Sequence, residues 1–178
     1  MTGYDVKKAL DSFEIIVDTR EQSTNKLEGR VKDFGCAYQR GTLDYGDYAA
    51  NYILESGEKL YDISDRIYPQ TVIERKLDLD ELAICLTHER ARFTRELERA
   101  KEHGARMYLL VENASWDMII NDQYKSWMKP KAFLASLTAF MSRYNLNIVF
   151  VNDYNAGIMI KDILYHDLAE RLRSSIDE

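Results

Sequence analysis

The hydrophobic pattern of the chain changes period near residue 76, and this change limits the fold more than any other feature. Before it, short runs of alternating or β-branched residues are bounded by turn-forming residues, which is typical of β-strands. After it, apolar residues recur at intervals of three, four or seven, which predicts helices. The early strands are predicted at residues 14–18, 37–43, 48–54, 59–63 and 71–74, with a hairpin turn at 55–58.

The second part of the chain alternates helix and strand. One helix is predicted from Leu79 through Ala100, ending at Gly104, a residue suited to a left-handed cap. Pro130 suits the first position of another helix, and a short helix is expected within residues 113–121. Strands are predicted at 107–111 and 147–151, and a terminal helix is expected to be capped by Asn152 or Asp153. The side chains expected to point inward from the last two helices are Phe133, Leu137, Phe140 and Met141, then Ile160, Leu164, Leu168 and Leu172.

A group of strands followed by alternating strands and helices predicts an α/β fold, with a central mixed β-sheet flanked by helices. The helix-flanked strands are expected to be parallel and the early strands antiparallel. The length of 178 residues suits one compact domain spanning residues 1–178.

The composition excludes several classes of protein. With 24 Lys and Arg against 30 Asp and Glu, the formal charge is −6, which argues against broad adhesion to nucleic acid or to anionic membranes. A local DNA groove remains compatible with this charge, since carboxylates gathered for metal binding count toward it. The two cysteines, Cys36 and Cys85, are expected to be reduced. No apolar run reaches the length of a signal peptide or membrane span, so a cytoplasmic or nucleoid-associated location is expected.

Three acidic residues occur where predicted strands begin or end. Asp18 closes the first strand, Asp47 follows Gly46 in a turn, and Glu74 closes another strand. Carboxylates that converge at one sheet edge repel one another unless a hard cation such as Mg²⁺ joins them. Alternation places Glu74 and Lys76 on one side of the strand, where a metal and a cation could serve phosphodiester hydrolysis. The alternative is that Glu74 and Lys76 form a solvated ion pair and that the aspartates cap turns.

Three motifs, in this order, resemble the nuclease domain of the XPF family of structure-specific endonucleases. They are V-D-T-R-E at residues 17–21, L-D-Y-G-D-Y at 43–48 and V-I-E-R-K-L-D-L-D at 72–80. The segments 108–112, 132–144 and 148–151 also fit later elements of that family, so the resemblance covers about residues 14–172. It implies a restriction-endonuclease-like PD-(D/E)xK core.

The resemblance also implies a set of site residues. Asp18, Asp47 and Glu74 would hold Mg²⁺ or Mn²⁺, the Arg75 carbonyl could add a ligand, and Lys76 would position or activate water. The supporting candidates are Arg20 and Glu21 near the metal and Asp80, which is expected to cap or orient the following helix. It further implies a DNA substrate, branched or with a single-strand/double-strand junction, and a homodimer formed through the later helices. The apolar Ile158, Met159 and Ile163 outside the core stripe are compatible with such a dimer.

The chain departs from the family pattern in two ways. The connection between Asp47 and Glu74 is longer than is usual in the family, with an extra segment at residues 51–69. The sequence also contains no tandem helix-hairpin-helix module and no helicase domain, which leaves the substrate preference open.

DNA contacts are expected from arginines near the motifs. Arg20, Arg90 and Arg92 are candidates for backbone phosphate contacts, whereas Arg99 and Lys101 fit a solvated helix with Glu/Arg pairs. No stacking role is assigned to the aromatic residues. Two other functions stay open: a non-catalytic DNA-binding or partner subunit of a nuclease complex, and a sequence-specific restriction-type enzyme. The intact set of motif carboxylates and lysine favours the enzyme.

Overall fold

The computed structural model describes residues 3–175 and shows a seven-stranded mixed sheet with helices on both faces. The strand order is β4-β2-β1-β3-β5-β6-β7. The strands are β1 (Glu14–Asp18), β2 (Ala37–Leu43), β3 (Tyr48–Asn51), β4 (Arg66–Ile67), β5 (Thr71–Lys76), β6 (Arg106–Glu112) and β7 (Asn147–Val151). The helices are α1 (Gly3–Asp11), α2 (Asn25–Asp33), α3 (Leu79–Leu86), α4 (Arg90–Glu102), α5 (Trp116–Ile120), α6 (Pro130–Tyr144) and α7 (Ala156–Ser174). The predicted α/β class with a central mixed sheet is confirmed.

Strand directions follow the prediction except at two pairs of early strands, β1 with β2 and β2 with β4, which are parallel. β5, β6 and β7 are parallel to one another, and β3 is antiparallel to both of its neighbours, β1 and β5. The prediction that all early strands are antiparallel is wrong, because β1 and β2 are parallel. A parallel pair needs a crossover, and α2 supplies it. This helix was missed because it is polar, with only Leu27 and Arg30 buried.

The sheet separates two hydrophobic cores. Alternation along β1 places Ile16 in one core and Ile15 and Val17 in the other. Helices α3 to α6 cover the first core, with Leu82, Phe93 and other buried residues. Helices α1, α2 and α7 cover the second. Consecutive residues of a strand therefore face two different groups of helices.

The long helix predicted from Leu79 to Ala100 is interrupted. Thr87 lies outside helical geometry, at φ −120° and ψ −87°, and its hydroxyl donates to the carbonyl of Ala83 at 2.7 Å. A threonine that bonds back to the preceding turn competes with helical continuation. The prediction of one helix is therefore wrong, although its apolar stripe continues through α3 and α4. The cap at Gly104 is confirmed by a φ of +66°.

The segment between β3 and β5 differs from the predicted hairpin. The turn at residues 55–58 closes with Leu54 N donating to Glu58 O at 2.7 Å, but only one bridge, between Ile53 and Lys59, follows it. The strand predicted at 59–63 is wrong, because the Asn51 amide takes the place of a ladder partner and bonds both backbone groups of Tyr61. The chain then forms the short strand β4, which pairs parallel to β2.

The predicted inward residues of α6 and α7 are buried, except Met141, which is 36% exposed. The prediction that Asn152 or Asp153 caps the terminal helix is wrong. A 3₁₀ turn at Asp153–Asn155 intervenes, and Asn155 precedes α7 without a side-chain cap. No helix in the described range combines the length and apolar character needed to cross a bilayer.

Candidate active site

Strand direction brings the motif residues to one edge of the sheet. β1, β5 and β6 run the same way, so Asp18, Lys76 and Glu112 end them at the same edge. β3 runs the other way, so Asp47, which precedes it, meets that edge too. The convergence of strand-end acidic residues, predicted from the sequence, is a direct result of this topology.

The turn that carries Asp47 requires a glycine before it. Gly46 has a φ of +73°, and a Cβ placed on it would lie 2.2 Å from Cγ2 of Val72. This close approach lets Asp47 N donate to Ile73 O and Asp18 N donate to Asp47 O, both at 2.8 Å. The turn is thus fixed between β1 and β5.

Asp47, Glu74 and Lys76 form one group of charged side chains. The Lys76 ammonium lies 2.5 Å from Oε1 of Glu74, and Oδ2 of Asp47 accepts the backbone N–H of Arg75 at 2.8 Å. Glu74 and Lys76 are each only 5% exposed, whereas Asp47 is partly exposed. The predicted alternation is confirmed, because the Arg75 side chain points to the other face, toward Glu21.

This group lines a polar cleft of about 740 Å³. One wall comes from α4, through Arg92, Arg95 and Arg99, and another from the segment after β1. The cleft holds eight basic and five acidic side chains, an excess of positive charge in a chain whose total is −6. The lining residues are Arg20, Glu21, Gln22, Thr24, Lys26, Arg30, Asp47, Glu74, Arg75, Lys76, Leu77, Glu81, Arg92, Arg95, Glu96 and Arg99.

The two carboxylates at the cleft carry uncompensated negative charge. Burial raises the pKa of Asp47 well above its ordinary value, and the neighbouring Glu74 raises this pKa further. Burial also raises the pKa of Glu74, and Lys76 offsets only part of the increase. A buried carboxylate pair of this kind favours a bound cation.

Lys76 stays protonated in this setting. Burial lowers the pKa of its ammonium, but the charges of Glu74, Cys85 and Asp47, together with the hydrogen bond to Glu74, outweigh burial and move the pKa above its ordinary value. The ring of Phe93 lies 5.7 Å from the ammonium nitrogen and supports it from the core side. A permanently charged lysine can orient a water or a phosphate, but it is poorly suited to accept a proton.

Asp18 lies behind the cleft rather than in it. Its Oδ1 accepts the backbone and Nε protons of Arg20 at 2.8 and 2.6 Å, and its Oδ2 accepts the backbone N–H of Leu43 at 2.8 Å. Arg20 lines the cleft and reaches the carbonyl oxygens of Leu43 and Gly46. In this arrangement Arg20 covers Asp18, so the role of Asp18 as a metal ligand stays a prediction.

On the second face of β5, a network of two glutamates and two arginines borders the same cleft, with Glu21, Arg30 and Arg75 in its lining. Oε1 of Glu21 is 2.8 Å from Arg30 and 3.2 Å from Arg75 and also accepts the Tyr48 hydroxyl at 2.7 Å. Glu112, 1% exposed, lies 3.4 Å from Arg30 and 3.3 Å from Arg75. Glu21 is thus a structural centre of the site, consistent with its predicted supporting place.

The other predicted residues divide between the cleft and its surroundings. Arg92 lines the cleft, whereas the Arg90 guanidinium packs over the Phe140 ring at 4.9 Å and is absent from the lining. Of the two roles expected of Asp80, capping the following helix is wrong, because the cap of α3 is Asp78, and orienting that helix stays a prediction. Asp80 instead accepts two backbone N–H groups from a loop 45 residues away.

Three residues of the site were not recognised in the sequence. Glu96 on α4 accepts the backbone N–H of Gly46 at 2.9 Å and so supports the turn before Asp47. Arg30 belongs to the polar helix α2, whose packing the hydrophobic pattern does not reveal. Glu112 closes the apolar run of β6 as Glu74 closes the apolar run of β5, and that signal could have identified it.

The donor set at the cleft suits a hard divalent cation. Carboxylate oxygens of Asp47 and Glu74 are the ligands that Mg²⁺ prefers, and Mg²⁺ commonly needs only one or two carboxylates because it retains waters. Within residues 3–175 no three His, Cys, Asp or Glu side chains form a complete metal site. The inference that this site suits a divalent cation therefore rests on the carboxylates of Asp47 and Glu74.

A protein-family model described as the ERCC4 domain matches residues 17–160. Among solved structures, XPF from Aeropyrum pernix matches with a TM-score of 0.59 at 17% identity, over 86% of this chain and 61% of that chain. XPF from Aeropyrum pernix in complex with DNA matches with a TM-score of 0.56 at 20% identity, over 91% and 65%. The chain thus spans less than two thirds of the length of these relatives. These matches confirm the predicted restriction-endonuclease-like fold, and a comparison with curated proteins gave no match.

Proposed function

Because the chain belongs to the ERCC4-domain family and has the fold of an XPF nuclease domain, we propose that it is a metal-dependent endonuclease that hydrolyses DNA phosphodiester bonds. The observation that carries this proposal is the convergence of Asp47, Glu74 and Lys76 in a cleft with an arginine-rich wall. These residues match the G-D and E-R-K motifs in their order along the chain, although the segment between the two motifs is longer than is usual in the family.

Asp47 and Glu74 would hold the metal. Bound there, Mg²⁺ or Mn²⁺ would neutralise charge on the scissile phosphate and lower the pKa of a water. Lys76, kept charged by Glu74, would orient the attacking water or the phosphate. Asp18 and the Arg75 carbonyl remain proposed additional ligands, and Asp18 requires Arg20 to move away first, since Arg20 holds its Oδ1.

The cleft wall would contact the DNA backbone. Arg92 and Arg95 are exposed on α4 and face the cleft, and Arg20 extends toward it from the segment after β1. Backbone contacts by arginine and lysine position DNA without reading its sequence. This local positive wall explains how a chain with a net charge of −6 could hold nucleic acid.

The preferred substrate would be branched DNA or a single-strand/double-strand junction, as the resemblance to the XPF family implies. The test is cleavage of labelled flap, splayed-arm, duplex and single-stranded DNA in Mg²⁺, in Mn²⁺ and in EDTA. Asp47→Asn is the matched inactive variant. Metal-dependent cutting of branched substrates that is lost in this variant supports the proposal.

Two results of the same experiment would favour other functions. Binding without cutting under every metal condition would identify a DNA-binding or partner subunit. Cutting of linear duplex at one fixed sequence would identify a restriction-type enzyme, with the segment at residues 51–69 as the candidate for base contacts. The intact Asp47, Glu74 and Lys76 favour the endonuclease over the subunit.

We further propose that the domain forms a homodimer through its later elements. Ile158 on α7 is exposed, and Met159 and Ile163 are partly exposed on the same helix. β7 lies at the edge of the sheet and is also only partly buried. Light scattering at micromolar concentration tests this, and a mass equal to one chain would contradict it.

A further inference from the structure

Trp127 is the most exposed large hydrophobic side chain among residues 3–175, at 95% exposure. It lies in the loop of residues 121–129 that joins α5 to α6. An aromatic side chain buries about 150–250 Å² when it packs, so an indole left in solvent forgoes a large hydrophobic gain. The other tryptophan, Trp116, does pack, edge-to-face on Phe150 at 5.1 Å.

The backbone on both sides of Trp127 is held in place. Oδ1 of Asp80 accepts the backbone N–H groups of Lys125 and Ser126 at 2.8 and 2.7 Å. The Tyr124 hydroxyl donates to the carbonyl of the residue that follows Trp127, at 2.6 Å. The exposed indole is therefore presented by a fixed loop.

The anchor of this loop lies next to the cleft. Asp80 is in the first turn of α3, four residues after Lys76, and its neighbours Leu77 and Glu81 line the cleft. Four residues of extended chain span at most about 14 Å, and one DNA strand advances about 3.4 Å per nucleotide. A strand that passes Lys76 can thus reach Asp80, the anchor of the Trp127 loop, within about four nucleotides.

The surroundings of Trp127 fit a nucleotide better than a protein partner. Lys125 and Lys129 are exposed on either side of it, and the remaining loop is polar except for Tyr124 and Met128, which pack against the first core. A base offers a flat face for stacking, and its phosphates offer negative charge to flanking lysines. A stable protein interface would instead need a patch of roughly 800 Å² on each partner.

We propose that Trp127 stacks on an unpaired base of the DNA strand that leaves the cleft, while Lys125 and Lys129 contact its phosphates. This inference rests on the proposed function, because its ligand is the same DNA. Within a duplex the base faces are already stacked on one another, so the loop selects substrates with a single-stranded arm. Asp80 thereby couples the motif that carries Lys76 to substrate selection.

The first test uses Trp127 as its own reporter. Trp116→Phe leaves Trp127 as the single tryptophan of the chain, which has two, and retains a ring against Phe150. Its fluorescence is followed in EDTA during titration with a thymidine single strand, a splayed-arm DNA and a blunt duplex. Quenching by the first two but not by the duplex is expected. Equal quenching by all three, or none, would overturn the proposal.

The second test measures affinity in the natural chain. Trp127→Ala should weaken binding of the single strand and the splayed arm at least about fivefold, Trp127→Phe should weaken it less, and duplex affinity should be unchanged. Replacing Lys125 and Lys129 by Gln should reduce the salt dependence of single-strand binding by about 0.7 per lysine. Unchanged affinity of the alanine variant for the splayed arm would overturn the proposal.

The outcomes separate this inference from the nuclease proposal. Binding in EDTA requires no chemistry, so quenching without any cleavage would reject the nuclease and retain the stacking site. Cleavage of branched DNA without quenching would reject the stacking site alone. A change of Trp127 emission with protein concentration, in the absence of DNA, would assign the surface to a second copy and overturn the proposal.

Discussion

The two sides of β5 bury charge in different ways. On one side, Asp47 and Glu74 share the single ammonium of Lys76. On the other, Glu21 and Glu112 face two arginines, Arg75 from the strand and Arg30 from α2. Both groups border the cleft. The first carries an excess of negative charge, whereas the second has equal numbers of acidic and basic side chains and supports the other face of the strand.

The pKa shifts of Asp47 and Glu21 follow this difference, whereas burial raises the pKa of Glu112 although Arg75 and Arg30 oppose the increase. The pKa of Asp47 is raised by burial and by Glu74, so the ionised pair is unfavourable without a further cation. Burial acts in the same direction on Glu21, but Arg75, Tyr48 and Arg30 outweigh it and lower its pKa. In the group with excess negative charge, the carboxylates repel each other and a bound metal ion can reduce this repulsion. In the group with equal charges, the ion pairs stabilise the fold. Substitutions of Asp47 should therefore lower activity without lowering stability. Substitutions of Glu21 should lower stability.

The largest expected effect is the loss of cleavage in Asp47→Asn. Charge stabilisation by a bound metal is worth several kcal/mol, so the rate should fall on the order of 10³-fold. Thermal unfolding in EDTA should show an equal or higher Tm, because the amide removes repulsion with Glu74 and can still accept the Arg75 N–H. A clear fall in Tm would mean that Asp47 stabilises the fold, and the two faces of β5 would then not differ in this respect.

The next effect is on stability, from Glu21→Ala on the other side. This change leaves Arg30 and Arg75 without their nearest carboxylate oxygen and should lower the free energy of unfolding by about 3 kcal/mol, measured by urea denaturation. Glu98→Ala, an exposed glutamate on α4, is the matched control and should change it by less than about 0.5 kcal/mol. Similar losses in both variants would reject the structural role of the network.

Two neighbouring cations of β5 give a third comparison. Lys76→Gln should lower kcat about 10²-fold, as removal of one oriented donor does, and should destabilise the protein in EDTA because Glu74 loses its partner. Mn²⁺ should restore the Tm of this variant without restoring its rate. Arg75→Gln should also lower the Tm, but Mn²⁺ should not restore it, since Glu112 lies on the other side of the strand. If Mn²⁺ restored the Tm of both variants equally, the proposed difference between the two faces of β5 would be contradicted.

The sequence predicted one side of β5 better than the other. Asp18, Asp47 and Glu74 were recognised because each follows or precedes a buried run, and alternation alone placed Glu74 and Lys76 together. The partners of Arg75 depend on contacts distant in sequence: Glu21 is 54 residues away. Only tertiary packing reveals such contacts.

The errors have physical causes of the same kind. The polar helix α2 was missed because a helix with two buried residues has little hydrophobic pattern. Asp18 reaches the predicted sheet edge, where donors from Arg20 and Leu43 hold its carboxylate, so its role as a metal ligand stays a prediction. The sequence pattern identifies which residues reach a sheet edge, and competition among their neighbours decides which of them face the cleft.

The smallest expected effect concerns the outer wall of the cleft side. Replacing Arg92 and Arg95 by Gln should weaken duplex binding and reduce its salt dependence by about 0.9 for each phosphate that is no longer neutralised, with little change in Tm because both are exposed. Binding is measured in EDTA by fluorescence anisotropy between 50 and 200 mM salt, roughly the range over which such contacts weaken strongly.

Arg90→Gln is the matched control for this wall. Arg90 is on the same helix but packs over Phe140 and donates to the carbonyl of Leu86, so its loss should leave the salt dependence unchanged. If this variant lowers the salt dependence as much as Arg92→Gln does, the DNA path extends beyond the cleft along α4. The positive charge that holds DNA would then extend along the whole exposed face of α4. The two faces of β5 would then differ only in their carboxylates.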